Sequence, residues 1–216
     1  MKSGVITAVH QDSKQKKRYD IYIDDSLAFS VHEDILVKYQ LFKGKEVEDK
    51  QFAEILIAEE RNKAFLQALR YLGIRPRSSA QLERYLIEKG HEKEIAKEVC
   101  ERCERQGYID DEEFAKQWVR ERLKWKQRSS YALRRELQLK GISSDIIHSV
   151  MQGISRDDEL DAARKFANKR LKGESCPLDI HHERKLLQAL ARNGFSTAIL
   201  NQLRSEWRSI KGSDEW

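Results

Sequence analysis

Apolar and polar positions change rhythm once along the 216 residues of the chain. Up to residue 48, short runs rich in Val, Ile, Tyr and Phe alternate with polar breaks: Gly4–Gln11, Arg18–Asp24 and Ser26–His32. Asp12-Ser13 and Asp24-Asp25-Ser26 punctuate these runs as turns. In the middle run Tyr19, Ile21 and Ile23 alternate with Asp20, Tyr22 and Asp24, the period of a half-buried strand. A small N-terminal β module is therefore expected over 1–48. From about Asp49 the period becomes helical and stays so to the end.

One pattern recurs three times in the helical part. Gly90, Gly141 and Gly194 each have a Leu eight residues before (Leu82, Leu133, Leu186) and another four before (Leu86, Leu137, Leu190). Each has an aliphatic residue five after (Ile95, Ile146, Ile199) and nine after (Val99, Val150, Leu203). Fifteen positions matched at spacings of 51 and 53 residues mark an internal repeat. Leu at i and i+4 makes an inward helical stripe, and Gly just past the last turn supplies the left-handed residue that ends a helix. Glu92-Lys93, Ser143-Ser144 and Ser196-Thr197 then occupy the N-cap region of the next helix, the two serines with the stronger capping chemistry.

An earlier helix completes each unit: KAFLQALRYL, DEEFAKQWVRERL and ELDAARKFANKRL. Its last Leu lies ten residues before the second-helix Leu in the first two units and fifteen before it in the third. The third unit thus carries a five-residue insertion around GESCPLD, where Pro177 fits a loop as Pro76 does in the first. The predicted fold is mainly α: three tandem three-helix repeats at 49–110, 111–156 and 157–216, forming an elongated, curved body after the β module. Such bodies present long binding surfaces suited to a filamentous partner.

Charge sharpens this picture. The net formal charge is +5, yet residues 1–60 hold 9 basic against 12 acidic side chains, and residues 61–153 hold 20 against 14. Between Lys116 and Lys140 nine Lys or Arg face only Glu121 and Glu136. On the first helix of the second unit Phe114, Ala115, Trp118, Val119 and Trp125 are expected on one side. Lys116, Arg120 and Lys124 fall at i, i+4 and i+8 on the other, a basic stripe unpaired by i+4 acids. Lys126 and Arg128 extend it through the loop, and Arg134 and Arg135 lie between Leu133 and Leu137 and face outward in part. Arg75 and Arg77 hold the loop positions in the first unit that Lys126 and Arg128 hold in the second. Charged helix faces ordinarily mix both signs and only solvate the protein; the imbalance, and its recurrence in two loops, point instead to a polyanion or an acidic partner.

Other candidate chemistry is thinner. Cys100 and Cys103 form a CxxC inside a helix without a second ligand pair, which reads as buried packing rather than zinc or redox chemistry. Trp118 and Trp125 read as core, and Tyr131, beside Arg128 and Arg134, as a surface stacking candidate. No phosphate loop, HExxH or GxSxG is present, and Asp110–Glu113 reads as the acidic first turn of a helix. The sequence argues against an enzyme and implies no metal or cofactor. No run of about 18 apolar residues provides a membrane span. The first residues lack the apolar core of a signal peptide, and three cysteines fit a reducing compartment, so a cytoplasmic location is expected. Repeats with capped ends do not require a dimer, so a monomer is expected.

ALRYLGIRPRSSAQLERYLIEKG, GYIDDEEFAKQWVRER and ALRRELQLKGI resemble the RecX family of recombination regulators, whose hallmark is a Gly-Tyr-Ile/Leu-Asp-Asp-x-x-Phe-Ala segment followed by a basic helix. The likeness is close over about 60–155 and continues by repeat pattern over 156–208. It implies a crescent of three repeats that binds the RecA recombinase filament on single-stranded DNA. It also implies lowered ATP hydrolysis and strand exchange, through blocked filament growth or promoted disassembly. Of the hallmark, Asp110 or Asp111 is assigned to capping, Phe114 to the core, and Gly107-Tyr108 to the turn between units. The surface expected to meet RecA or DNA comprises Arg75, Arg77, Lys116, Arg120, Lys124, Lys126, Arg128, Tyr131, Arg134 and Arg135. The alternative is a general DNA-binding protein that acts by competing for DNA.

Overall fold

A computed structural model describes residues 4–171, 176–177 and 179–213, with backbone alone for 211–213. The β module forms as its alternation predicts: β1 (Gly4–Gln11), β2 (Arg18–Ile23) and β3 (Ser26–His32) pair antiparallel, and β4 (Glu46–Val47) adds to β1. Between β3 and β4 lies α1 (Glu33–Lys38), a short helix that the periodicity does not predict. Ile6, Ile21, Ile23, Phe29 and Val31 bury one face of the sheet against Ile55 and Ala58 of α2 (Asp49–Leu72). A polar clasp reinforces that packing. Buried Glu59 accepts from Arg18 Nη1 at 2.8 Å and from the His32 N–H at 2.8 Å, using both carboxylate oxygens.

Helices α2, α3 (Ser79–Glu88) and α4 (Lys93–Arg105) are followed by α5 (Asp111–Glu121), α6 (Ser130–Leu139) and α7 (Ser144–Gln152). Then come α8 (Arg156–Leu171), α9 (Ile180–Arg192) and α10 (Thr197–Ser213). The expected insertion around residues 173–179 lies mostly outside the described residues. Eleven of the twelve repeated apolar positions are buried, and Ile146 is partly so. Gly90, Gly141 and Gly194 all have positive φ, between 78° and 91°. The next residue's N–H reaches back to the carbonyl of the Leu four before each Gly: His91 to Leu86, Ile142 to Leu137, Phe195 to Leu190. This is the left-handed helix stop expected of such glycines. The residue after the Gly packs inward in each case, and where Ile142 and Phe195 are apolar, His91 satisfies both ring nitrogens with Glu60 (2.7 Å) and Gln67 (2.8 Å).

The chain divides into two compact units, Met1–Pro76 with Leu82–Tyr108, and Arg77–Gln81 with Ile109–Trp216. Within the second unit one joint is built twice. The fully buried Ser78 hydroxyl donates to the Lys140 carbonyl at 2.6 Å and accepts from the Gln81 N–H; Ser129 does the same to Asn193 at 2.7 Å and Ala132. The following N–H meets a carboxylate: Ser79 to Asp111 at 2.8 Å, Ser130 to Glu159 at 3.2 Å. One residue further, Ala80 lies against Gly141 and Tyr131 against Gly194 so closely that a Cβ on either glycine would overlap them. Asp110 caps α5 by accepting from the Glu113 N–H, which leaves Asp111 free for Ser79.

Cys100 and Cys103 are buried, and burial pushes the Cys103 thiol up to about 11, so it stays protonated and unreactive near neutral pH. Tyr108 keeps its ring edge-on to Phe65 at 6.3 Å, and Phe114 is core, as its place in the hallmark implies.

The glycines separate two contributions to stability. A Cβ added at Gly90 would meet no atom within 4 Å, so Gly90→Ala should cost only the left-handed backbone penalty, about 1–2 kcal/mol. Gly194→Ala adds a clash, because its Cβ would sit 2.8 Å from the Tyr131 ring and 2.9 Å from Ser129 Oγ. Urea unfolding should show the larger loss for Gly194→Ala, by roughly 1–3 kcal/mol.

Candidate nucleic-acid interface

Helix α5 starts on the Asp110 cap with Asp111, Glu112 and Glu113 in its first turn, favourable to the helix dipole. Its regular winding ends at Glu121, where Arg122–Lys126 form a π turn that closes on Gln127 in the left-handed region. The helix expected to run to Leu123 and beyond does continue, but as a wider π turn after Glu121. The wider turn sets Leu123 against the cores of both α5–α7 and α8–α10, and puts Trp125 in solvent at 67% exposure rather than in the core. Trp118 stays partly buried: its indole N–H donates to Glu136 at 2.9 Å, and the Arg122 guanidinium and Lys140 ammonium each sit 3.9 Å from its ring. That ring is occupied and offers no stacking face.

Lys116, Arg120 and Lys124 remain on a common side despite the π turn, lining a cleft of about 510 Å³ with Val119 and Leu123. Its other wall comes from α7 and α8, which contribute Val150, Asp158, Asp161 and Lys165. The stripe is not wholly unpaired, as its spacing had implied: Lys116 Nζ lies 2.6 Å from Glu112, four residues before it, which holds its ammonium above the ordinary range. Among the described residues no carboxylate lies within ion-pair distance of Arg120, Lys124 or Lys165. Sequence reading missed Lys165 because its segment carries nearly balanced charge; only its place on the polar side of α8, away from Leu160, Ala163 and Ala167, marked it.

The two carboxylates of the cleft are held in place. Asp158 accepts from the Ser155 hydroxyl at 2.7 Å and from the Ser155 N–H at 3.0 Å, bonds that hold its carboxyl below the usual value. Asp161 is bound by Arg164 at 2.7 Å, and Arg164 also grips Glu206, which pushes the guanidinium further up. The cleft therefore presents four cations and two anions.

The remaining candidates lie elsewhere. Tyr131, 64% exposed, borders a smaller cleft of about 240 Å³ with Arg128, Arg135, Arg192 and Asn193. Arg128 is ion-paired with Glu136 at 3.0 Å, and Arg122 shares the same carboxylate at 3.4 Å. Lys126 and Arg134 are exposed and line neither cleft. Arg75 is exposed, whereas Arg77 is half-buried and belongs to the second unit. No helix among the described residues is long and apolar enough to cross a membrane, and no three of their His, Cys, Asp or Glu side chains converge as metal ligands.

Known proteins share this architecture. Residues 4–48 match the regulatory protein RecX N-terminal domain, 64–103 the first RecX three-helix domain and 110–151 the second. The RecX regulatory proteins of Bacillus licheniformis and Bacillus subtilis are each 34% identical over 196 residues, 91% of this chain and 74% of theirs. A crystal structure of a regulatory protein RecX aligns over 94% of this chain and all of its own with a TM-score of 0.78 and 26% identity. The RecX structure from Lactobacillus salivarius shares the fold at a TM-score of 0.60 and 21% identity, over 70% of this chain and 98% of its own.

The Ser155–Asp158 cap gives a pH signature. Its folded value lies below the ordinary 3.8, so the stability it contributes is present above pH 3.8 and is lost as pH falls through the folded value. Unfolding followed from pH 6 to about pH 3 should show a shallower loss for Asp158→Asn, which has no such proton to take up.

Proposed function

The chain belongs to the RecX family of regulatory proteins, and from that premise we propose that it binds the RecA filament on single-stranded DNA as a non-enzymatic regulator. Bound there it lowers ATP hydrolysis and strand exchange by blocking filament growth or promoting disassembly. It acts as a cytoplasmic monomer, with an N-terminal module to residue 48 and helical repeats at 49–110, 111–156 and 157–216. The observation that carries this reading is the mixed charge of the cleft between α5 and α8. Arg120, Lys124 and Lys165 bring unpaired cations to a polyphosphate or an acidic protein surface, and the close like charges repel until such a partner relieves them. Asp158 and Asp161 on the same cleft would repel a bare strand. They suit a partner that presents cations beside its anions, as a filament of protein on DNA does.

The test is RecA's single-stranded-DNA-dependent ATP hydrolysis, with the protein added below stoichiometry to preformed filaments and free DNA in large excess. Inhibition that survives the excess DNA is expected. Inhibition that vanishes in proportion to added DNA would transfer the role to simple competition for DNA. Reversing Arg120, Lys124 and Lys165 together to Glu should abolish inhibition while leaving the unfolding free energy within about 1 kcal/mol, because all three are exposed.

A further inference from the structure

The first unit carries a cleft of about 600 Å³ between α1 and α2, closed at one end by Arg102 of α4. Among its lining is Asn62, 7% exposed, whose Nδ2 has no hydrogen-bond partner among the described residues. Asn is a poor residue for the middle of a 24-residue helix, and a buried amide left unbonded destabilises the fold. Such a group calls for an explanation, and a bound ligand that accepts its hydrogen bond supplies one. Arg102 is equally unspent. Its guanidinium is stacked 3.5 Å from the Phe65 ring, which fixes its plane, and no carboxylate among the described residues pairs with it. Lys38 rests over the Tyr39 ring, with no ion pair among the described residues.

One neighbouring charge is already engaged: Arg61 is held by Glu98 at 2.7 and 2.9 Å. The His32 Nδ1 beside Asp34 accepts the Asp34 N–H and so leaves that carboxylate unspent. What remains is a planar arginine fork, an ammonium and an amide, lining the cleft with the apolar Ile57 and Ala58 and with the acids Asp34 and Glu54. A planar fork with an adjacent amide matches a carboxylate. A nucleic-acid backbone is a poor match: residues 1–60 hold more acidic than basic groups, and Glu54 would face a row of phosphates.

We infer that this cleft is a protein-docking site, which takes a short peptide segment carrying a carboxylate beside an apolar side chain. The carboxylate meets Arg102 and Asn62, the apolar group meets Ile57 and Ala58, and Glu54 receives a cation of the same segment. The inference rests on the reading of the chain as a RecA-binding regulator. It deepens that reading by assigning to the first unit a protein contact of its own, besides the mixed-charge cleft of the second.

The test compares binding of the wild type, Asn62→Leu and Arg102→Met to RecA free of DNA, and separately to single-stranded DNA. Both variants should lose RecA affinity roughly tenfold or more with DNA affinity unchanged. Asn62→Leu, which keeps the side-chain shape without the orphan amide, should also melt higher by roughly 2–4 °C. Variants that bind RecA as the wild type does, or that lose both partners equally, would overturn the site. A wild type that binds neither DNA-free RecA nor preformed filaments would instead remove the reading on which it rests. The cleft is then decided by acetyl-Leu-Glu-Leu-amide, which should shift the Asn62 side-chain amide resonance saturably where the same peptide with Gln in place of Glu does not; equal shifts or none would overturn it.

Discussion

A serine hydroxyl gives one hydrogen bond and accepts another, and the second unit of this protein is assembled on two serines that do both. Ser78 and Ser129 each cap their own helix by accepting an N–H and close another helix end by donating to its last carbonyl. The left-handed glycine beside that carbonyl has no Cβ, so the capped turn can approach closely. The next N–H spends itself on Asp111 or Glu159. Six backbone groups that a helix normally leaves to water, three at each joint, are thereby satisfied inside the protein. Aspartate at either serine would set carboxylate against carbonyl. α9 of the third repeat, which makes no such joint among the described residues, does begin on Asp179, which accepts from the His182 N–H at 2.7 Å.

The joints set the geometry of the basic cleft. Ser130 and Glu159 tie the start of α6 to α8, and Leu123 lies between the two cores that α5–α7 and α8–α10 form. With α8 held there, Lys165 and the two aspartates face Arg120 and Lys124 across a common space. The π turn is part of the same arrangement: it keeps Leu123 inward while the chain turns toward the Ser129 cap. A surface that looks like a simple stripe along one helix is thus a two-walled site.

What the sequence made legible was whatever repeats at helical or strand period. The three glycines, the paired leucines and the alternation of Tyr19, Ile21 and Ile23 each impose a local period, and each stands where that period puts it. The joints were not legible, because Ser129 and Asn193 lie 64 residues apart and a serine at a helix start has an adequate local explanation. The pairing of Lys116 with Glu112 was overlooked although its i, i+4 spacing was visible. Trp125 was misplaced because nothing in composition announces a π turn. Lys165 and Asn62 are single polar residues on otherwise ordinary helices, and only the three-dimensional neighbours give them meaning.

The most direct measurement is amide hydrogen exchange along the whole chain, free and bound to preformed RecA filaments on single-stranded DNA. Engagement of the cleft predicts added protection concentrated in residues 116–126 and 158–165, with the buried joints at 129–133 already slow in the free protein. Bound protein that gains no protection in those two segments, or gains it only along the exposed faces of α9 and α10, would contradict the account.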